Sequence, residues 1–151
     1  VLGLGLGLAP VGAYLAVTGT FSIVSVFYGL AVLTWVAGFD IIYALQDEEF
    51  DRANGLNSIP ANLGGAKALI ISTVLHVMSF VFVLLPVFYM NAGLFYYIGV
   101  LIYGGLLIYQ HRIVSPTDLS KVDRAFMTTN GIASVIFACF YLLDVLFLIK
   151  L

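Results

Sequence analysis

Apolar residues in this chain do not alternate singly with polar ones. They run in long blocks, separated by polar links of two different kinds. The blocks lie at about 1–17, 21–45, 67–90, 92–110 and 127–149. Each approaches the roughly 20 residues that a helix needs to cross a hydrocarbon core of about 30 Å. A helix also satisfies every backbone donor and acceptor inside its own segment, as a membrane requires. The pattern predicts an all-α, polytopic transmembrane bundle of five membrane helices, forming one domain over 1–151. In the first block, Gly3, Gly5 and Gly7 predict close helix approach, and Pro10 predicts a kink.

The links alternate in character. Those at 18–20 and near 91 are short and uncharged, whereas 46–66 and 111–125 are long and charged. Arg52, Lys67, Arg112, Lys121 and Arg124 lie in or beside the two charged links, and they are five of the six Lys and Arg residues. With five crossings both links fall on one side, which the distribution of positive charge assigns to the cytoplasm. Lys150 is then expected at the opposite surface.

Composition excludes other classes. The chain is 62% hydrophobic and only 9% charged, too little polar surface for a soluble domain of 151 residues. A net charge of −2 argues against general attraction to nucleic acid or anionic lipid. The single Cys139 sits in an apolar run and reads as packing. The chain opens at Val1 within an apolar block, without a basic n-region or a cleavage site. It is expected to be processed or to belong to something longer.

The segment DIIYALQDEEFDR, residues 40–52, puts acid at the end of an apolar run. At 100° per residue, Asp40, Tyr43, Asp47 and Asp51 fall in one narrow stripe, whereas Glu48 and Glu49 read as surface charges. Three like charges on one stripe repel, so something positive should offset them. A cationic side chain, bound protons and a divalent cation all fit that need. Oxygen ligands favour a hard ion such as Mg²⁺, held by one or two carboxylates together with substrate phosphates. That points to cleavage of a C–O bond to diphosphate at the membrane face. A solvated helix end and an ion or proton pathway stand as alternatives.

The longer stretch DIIYALQDEEFDRANGLNSIPANLG, Asp40–Gly64, resembles the second aspartate-rich motif of the UbiA superfamily of intramembrane prenyltransferases. The likeness is nearest to 4-hydroxybenzoate polyprenyltransferases. Residues 2–19 resemble the family's fifth helix and the turn after it. Tyr109–Ala133 resembles its late cytoplasmic loop and the start of its last helix, with Asp118, Lys121, Arg124, Phe126 and Asn130 fitting loosely. The resemblance implies a bundle of nine membrane helices around a central cavity. Two aspartate-rich motifs there bind polyprenyl diphosphate through Mg²⁺, and an aromatic acceptor attacks the allylic cation. It implies that Asp47 and Asp51 are the chief Mg²⁺ ligands and that Asp40 and Tyr43 line the cavity below them.

Many family members carry Lys where this chain has Asn57. Phosphate contacts would then fall to Arg52 first, and otherwise to Lys67, Lys121 or Arg124. The first aspartate-rich motif is absent, so the chain corresponds to the last five of nine helices and is expected to be inactive without the others, in cis or as a separate chain. The acceptor implied is 4-hydroxybenzoate, in the bacterial inner membrane. A menaquinone-pathway acceptor is the alternative, and so is a non-catalytic subunit or transporter piece with an acidic vestibule. Several residues keep bland readings. His76 is packing or a helix–helix hydrogen bond, and His111 is interfacial. Asp144 faces either the bundle interior or the far headgroups. Ser115-Pro116-Thr117-Asp118 reads as a helix N-cap with Pro at the first helical position.

Overall fold

A computed structural model describes residues 2–149, so the expectation for Lys150 lies outside the described residues. The chain forms seven α-helices: α1 (Leu2–Thr18), α2 (Ile23–Ala44), α3 (Glu48–Ala53), α4 (Ile59–Leu63), α5 (Gly65–Leu84), α6 (Leu94–Ile113) and α7 (Asn130–Ile149). Turns of 3₁₀ helix follow α2 (Leu45–Asp47) and α5 (Leu85–Phe88), and a π-helical stretch, Arg124–Thr129, leads into α7. Among the described residues the nearest thing to a strand is an isolated bridge between Ser115 and Asp118.

Among the described residues four helical runs are long and apolar enough to cross a membrane: Ile23–Ala53, Gly65–Phe88, Leu94–Ile113 and Arg124–Leu148. They match four of the five predicted segments. The other, α1, has 17 described residues, about 26 Å at 1.5 Å per residue, which is short of a full hydrocarbon core. It runs through Pro10 as one helix.

Small residues set how closely α1 and α2 meet. A Cβ on Gly29 would lie 2.5 Å from the Gly7 carbonyl oxygen, and one on Gly7 would lie 2.8 Å from that of Gly29. Gly3 also faces α2, four residues and one turn before Gly7. Gly5 does not: it points about 200° away from Gly3 and a Cβ there would meet nothing within 4 Å.

The α2–α5 pair is joined differently. Hydroxyls on α5 donate to carbonyls of α2: Ser72 to Gly38 at 2.7 Å and Ser79 to Ala31 at 2.8 Å. Without water in a membrane core, such bonds join helices that apolar contact alone does not hold. Two apolar clusters fill the interior. One gathers Ala31, Val83, Tyr96, Val100, Tyr103, Leu107 and Ala133 near the middle of the bundle. The second joins Ile41, Ile42 and Leu45 at the end of α2 to Ala68 of α5 and to Val114, Val122 and Ala125. Both charged links are therefore tied to one end of the bundle, as their shared side required. A hydrogen bond of 3.3 Å from Gln46 Nε2 to Asp123 Oδ1 connects them directly.

Candidate functional site

The charged link after α2 is mostly helical. Leu45–Asp47 winds as a 3₁₀ turn and α3 begins at once. A 3₁₀ turn advances about 120° per residue rather than 100°, so three residues rotate the next helix by roughly 60°. This corrects the single stripe: Asp47 and Asp51 share a face of their own, turned from the line of Asp40 and Tyr43. Asp40 is half-buried near the end of α2, and Tyr43 is 42% exposed.

Asp47 occupies the N-cap position of α3 without capping it. Its neighbour's amide, Glu48 N–H, is already bonded to the Leu45 carbonyl, so the helix start makes little demand on the side chain. Asp51 lies one turn on, in the first turn of α3, where the helix dipole favours a carboxylate. Among the described residues, no protein donor engages the carboxylates of Asp40, Asp47 or Asp51. The ion pair in this segment is Arg52 Nη2 with Glu48 Oε1 at 2.7 Å. Arg52 also donates to the Ala61 carbonyl at 3.4 Å. The cation expected beside the aspartate stripe is thus turned toward Glu48, although it stays well exposed.

The rest of the motif has a structural purpose. After α3 the backbone turns at Gly55, with φ 67°, and Leu56 N–H bonds to the Asp51 carbonyl at 2.8 Å. Ser58 caps α4 by accepting from Ala61 N–H, and Pro60 stands in its first turn. Gly64, with φ 82°, separates α4 from α5. Asn57 takes no part in these bonds and is exposed, as are Lys121 and Arg124 across the end of the bundle.

The second charged link differs from expectation. Helix α6 extends to Ile113, so His111 and Arg112 belong to its last turn. Ser115 does not cap a helix. Ser115 and Asp118 exchange backbone hydrogen bonds of 3.2 Å across a tight turn, and the Ser115 hydroxyl accepts from Asp118 N–H at 3.0 Å. Asp118 in turn accepts from the Ser120 hydroxyl and N–H, which holds its carboxyl below the usual carboxylate range. Pro116 thus sits in this turn, and regular helix is delayed past it.

An aromatic cluster joins α2 to the π-helical stretch. Phe126 stacks on Tyr43 with centroids 4.4 Å apart and packs edge-on to Phe39 at 5.3 Å. The π-helical turn that carries Phe126 is held by Asn130, one of the loosely fitting residues, and by Gln110, which the sequence did not bring forward. Asn130 donates to the Phe126 carbonyl at 2.7 Å and accepts from Trp35 Nε1 at 3.2 Å. Gln110 donates to the Ala125 carbonyl at 2.7 Å and to Asn130.

The residues present suit a hard divalent ion. No three His, Cys, Asp or Glu side chains converge on a common point among the described residues. Asp47 and Asp51 instead offer two unengaged carboxylates at i and i+4, the number that Mg²⁺ takes when water and phosphate complete its shell.

The UbiA prenyltransferase family matches residues 1–142. The chain belongs to that family. Two relatives are named 4-hydroxybenzoate octaprenyltransferase. The one from Nitrosospira multiformis is 29% identical over 127 residues, covering 83% of this chain and 43% of the relative. The one from Francisella tularensis subsp. novicida is 26% identical over 137 residues, covering 91% of this chain and 48% of the relative. The chain thus spans about half the length of these curated relatives. No solved structure matches it significantly.

Proposed function

We propose that this UbiA chain supplies one wall of an intramembrane aromatic prenyltransferase, which moves a polyprenyl group from polyprenyl diphosphate to 4-hydroxybenzoate. Family membership and two relatives of that name support the reading. The single observation that carries it is the pair of unengaged carboxylates, Asp47 and Asp51, one turn apart at the charged end of the bundle.

Asp47 and Asp51 would hold Mg²⁺, which when bound neutralises charge developing on the departing diphosphate. Exposed Lys121 and Arg124 give that end of the bundle further positive charge for phosphate, and Asn57 offers an amide donor. Arg52 joins them by exchanging its Glu48 partner for phosphate. The bond from the allylic carbon to the diphosphate oxygen breaks, and the electron pair leaves with the diphosphate. A ring carbon of the acceptor then bonds to the allylic carbon, and the ring gives up its proton. Tyr43 and Phe126, packed on each other near the charged end, would offer aromatic faces that attract a carbocation. Asp40, half-buried a few residues deeper and on the line of Tyr43, adds negative charge nearby. The charged links lie in the cytoplasm of a bacterial inner membrane, and the opposing wall comes from the half of the relatives' length that this chain does not span.

The test is prenyl transfer in membranes containing the complete enzyme, with Mg²⁺ titrated. Asp47→Asn and Asp51→Asn each lower the rate on the order of 10²-fold or more, the scale on which mispositioned reactants lose rate. Activity within a few-fold of the parent in the double variant would refute the reading and favour a non-catalytic subunit.

A further inference from the structure

The face between α5 and α6 is open. A groove of about 560 Å³ runs along it, walled by Val77 and Phe80 of α5 and by Leu101, Gly105 and Ile108 of α6. Its outer rim is exposed: Leu101 is 71% and Ile108 60% accessible. Gly105 keeps it wide, since a Cβ at that position would meet nothing within 4 Å. A mid-helix glycine costs roughly 1 kcal/mol against alanine, and no neighbouring backbone explains it here. At the charged end of the bundle the groove turns polar, with Arg112, His111, His76 and Thr73.

Thr73, His111 and His76 form one hydrogen-bonded chain. His76, 2% exposed, directs Nε2 at the Trp35 carbonyl, 3.3 Å away. A carbonyl only accepts, so Nε2 carries the proton and Nδ1 accepts from His111 Nε2 at 2.9 Å. His111 Nδ1 then faces the Thr73 hydroxyl at 3.3 Å, while that hydroxyl also lies 2.8 Å from the Leu69 carbonyl. Four links end on two carbonyls, yet two neutral imidazoles and one hydroxyl bring three protons. Both ring nitrogens of His111 are thereby committed within the chain. The charged side chain lining the groove is Arg112, and no carboxylate pairs with it among the described residues.

We infer that the α5–α6 groove binds an anionic phospholipid of the surrounding bilayer, with one acyl chain along Gly105 and the headgroup phosphate on Arg112. Length and charge both fit. Leu101 to Arg112 spans eleven residues of helix, about 16 Å, close to half of a hydrocarbon core of roughly 30 Å. The groove therefore matches a single leaflet, with its cation at headgroup depth. A guanidinium fork suits a phosphate oxygen pair. This site does not use the aspartates and stands apart from the prenyl-transfer reading.

The experiment is native mass spectrometry of the intact protein in detergent, titrated with phosphatidylglycerol or phosphatidylcholine of the same acyl chains. Phosphatidylglycerol should bind at least five-fold more tightly. Arg112→Gln should erase that preference and Arg112→Lys should keep most of it. Gly105→Leu, whose Cβ meets no neighbour and whose side chain projects into the groove, should weaken both lipids. A thermal melt of each variant within a few degrees of the parent confirms that it is folded. Equal binding of the two lipids, or a preference surviving Arg112→Gln and Gly105→Leu together, overturns the assignment. So does displacement of phosphatidylglycerol by an equimolar polyprenyl diphosphate, which would give the groove to a substrate instead.

Discussion

At the scale of single residues, burial decides which polar groups are structural. Asp144 is 3% exposed on α7, and its carboxylate accepts from Gly93 N–H at 2.8 Å and Tyr96 N–H at 3.1 Å. It caps α6 from another helix, where Gly93 has no side chain to do so. Of the two readings its sequence position allowed, the bundle interior is the right one. Asp144→Ala leaves two amides without this acceptor, and we expect a loss of about 1–3 kcal/mol, read as a lower denaturation midpoint in detergent. Asp144→Asn keeps one acceptor oxygen and loses less. The acid at Asp47 behaves oppositely, since it occupies a capping position and makes no cap. Sequence position alone could not separate the two, because a cap made across the bundle leaves no local spacing to read. The same holds for His76 and His111, 35 residues apart and joined only by the packing of α5 on α6.

At the scale of elements, the apolar blocks were legible because a membrane imposes length directly, and the helices begin and end within a few residues of where hydropathy places them. What hydropathy does not carry is local winding. The stripe of Asp40, Tyr43, Asp47 and Asp51 rests on a constant 100° per residue, and the Leu45–Asp47 3₁₀ turn breaks that assumption. The π-helical stretch that presents Phe126 is similarly set by the Asn130, Trp35 and Gln110 contacts. Glycine spacing was read in part: Gly3 and Gly7 face α2, and Gly5 does not. A paired substitution separates them. Gly29→Ala drives a methyl against the Gly7 carbonyl, and overpacking of that kind costs about 1–3 kcal/mol. Gly5→Ala, facing open space, should be neutral or slightly stabilising. Thermal melts of the two variants check this, and equal shifts would mean that α1 and α2 do not meet at Gly7 and Gly29.

For the molecule as a whole, the apolar cluster under the charged links sets the geometry of the function. Ile41, Ile42 and Leu45 bind the end of α2 to Val114, Val122 and Ala125. The aspartate segment and the basic second link thereby share one face. Charge distribution along the sequence pointed to that shared side, whereas the partners of individual cations had to come from packing, as Arg52 shows with Glu48. The central claim is that Asp47 and Asp51 bind diphosphate through Mg²⁺. Its most direct measurement is retention of a radiolabelled polyprenyl diphosphate by the complete enzyme, with and without Mg²⁺, in the parent and in the Asp47→Asn/Asp51→Asn double variant. The parent should retain the ligand with Mg²⁺ and release it on chelation, and the double variant should not respond to Mg²⁺ at all. Equal Mg²⁺-dependent retention by both would contradict the assignment of these two carboxylates.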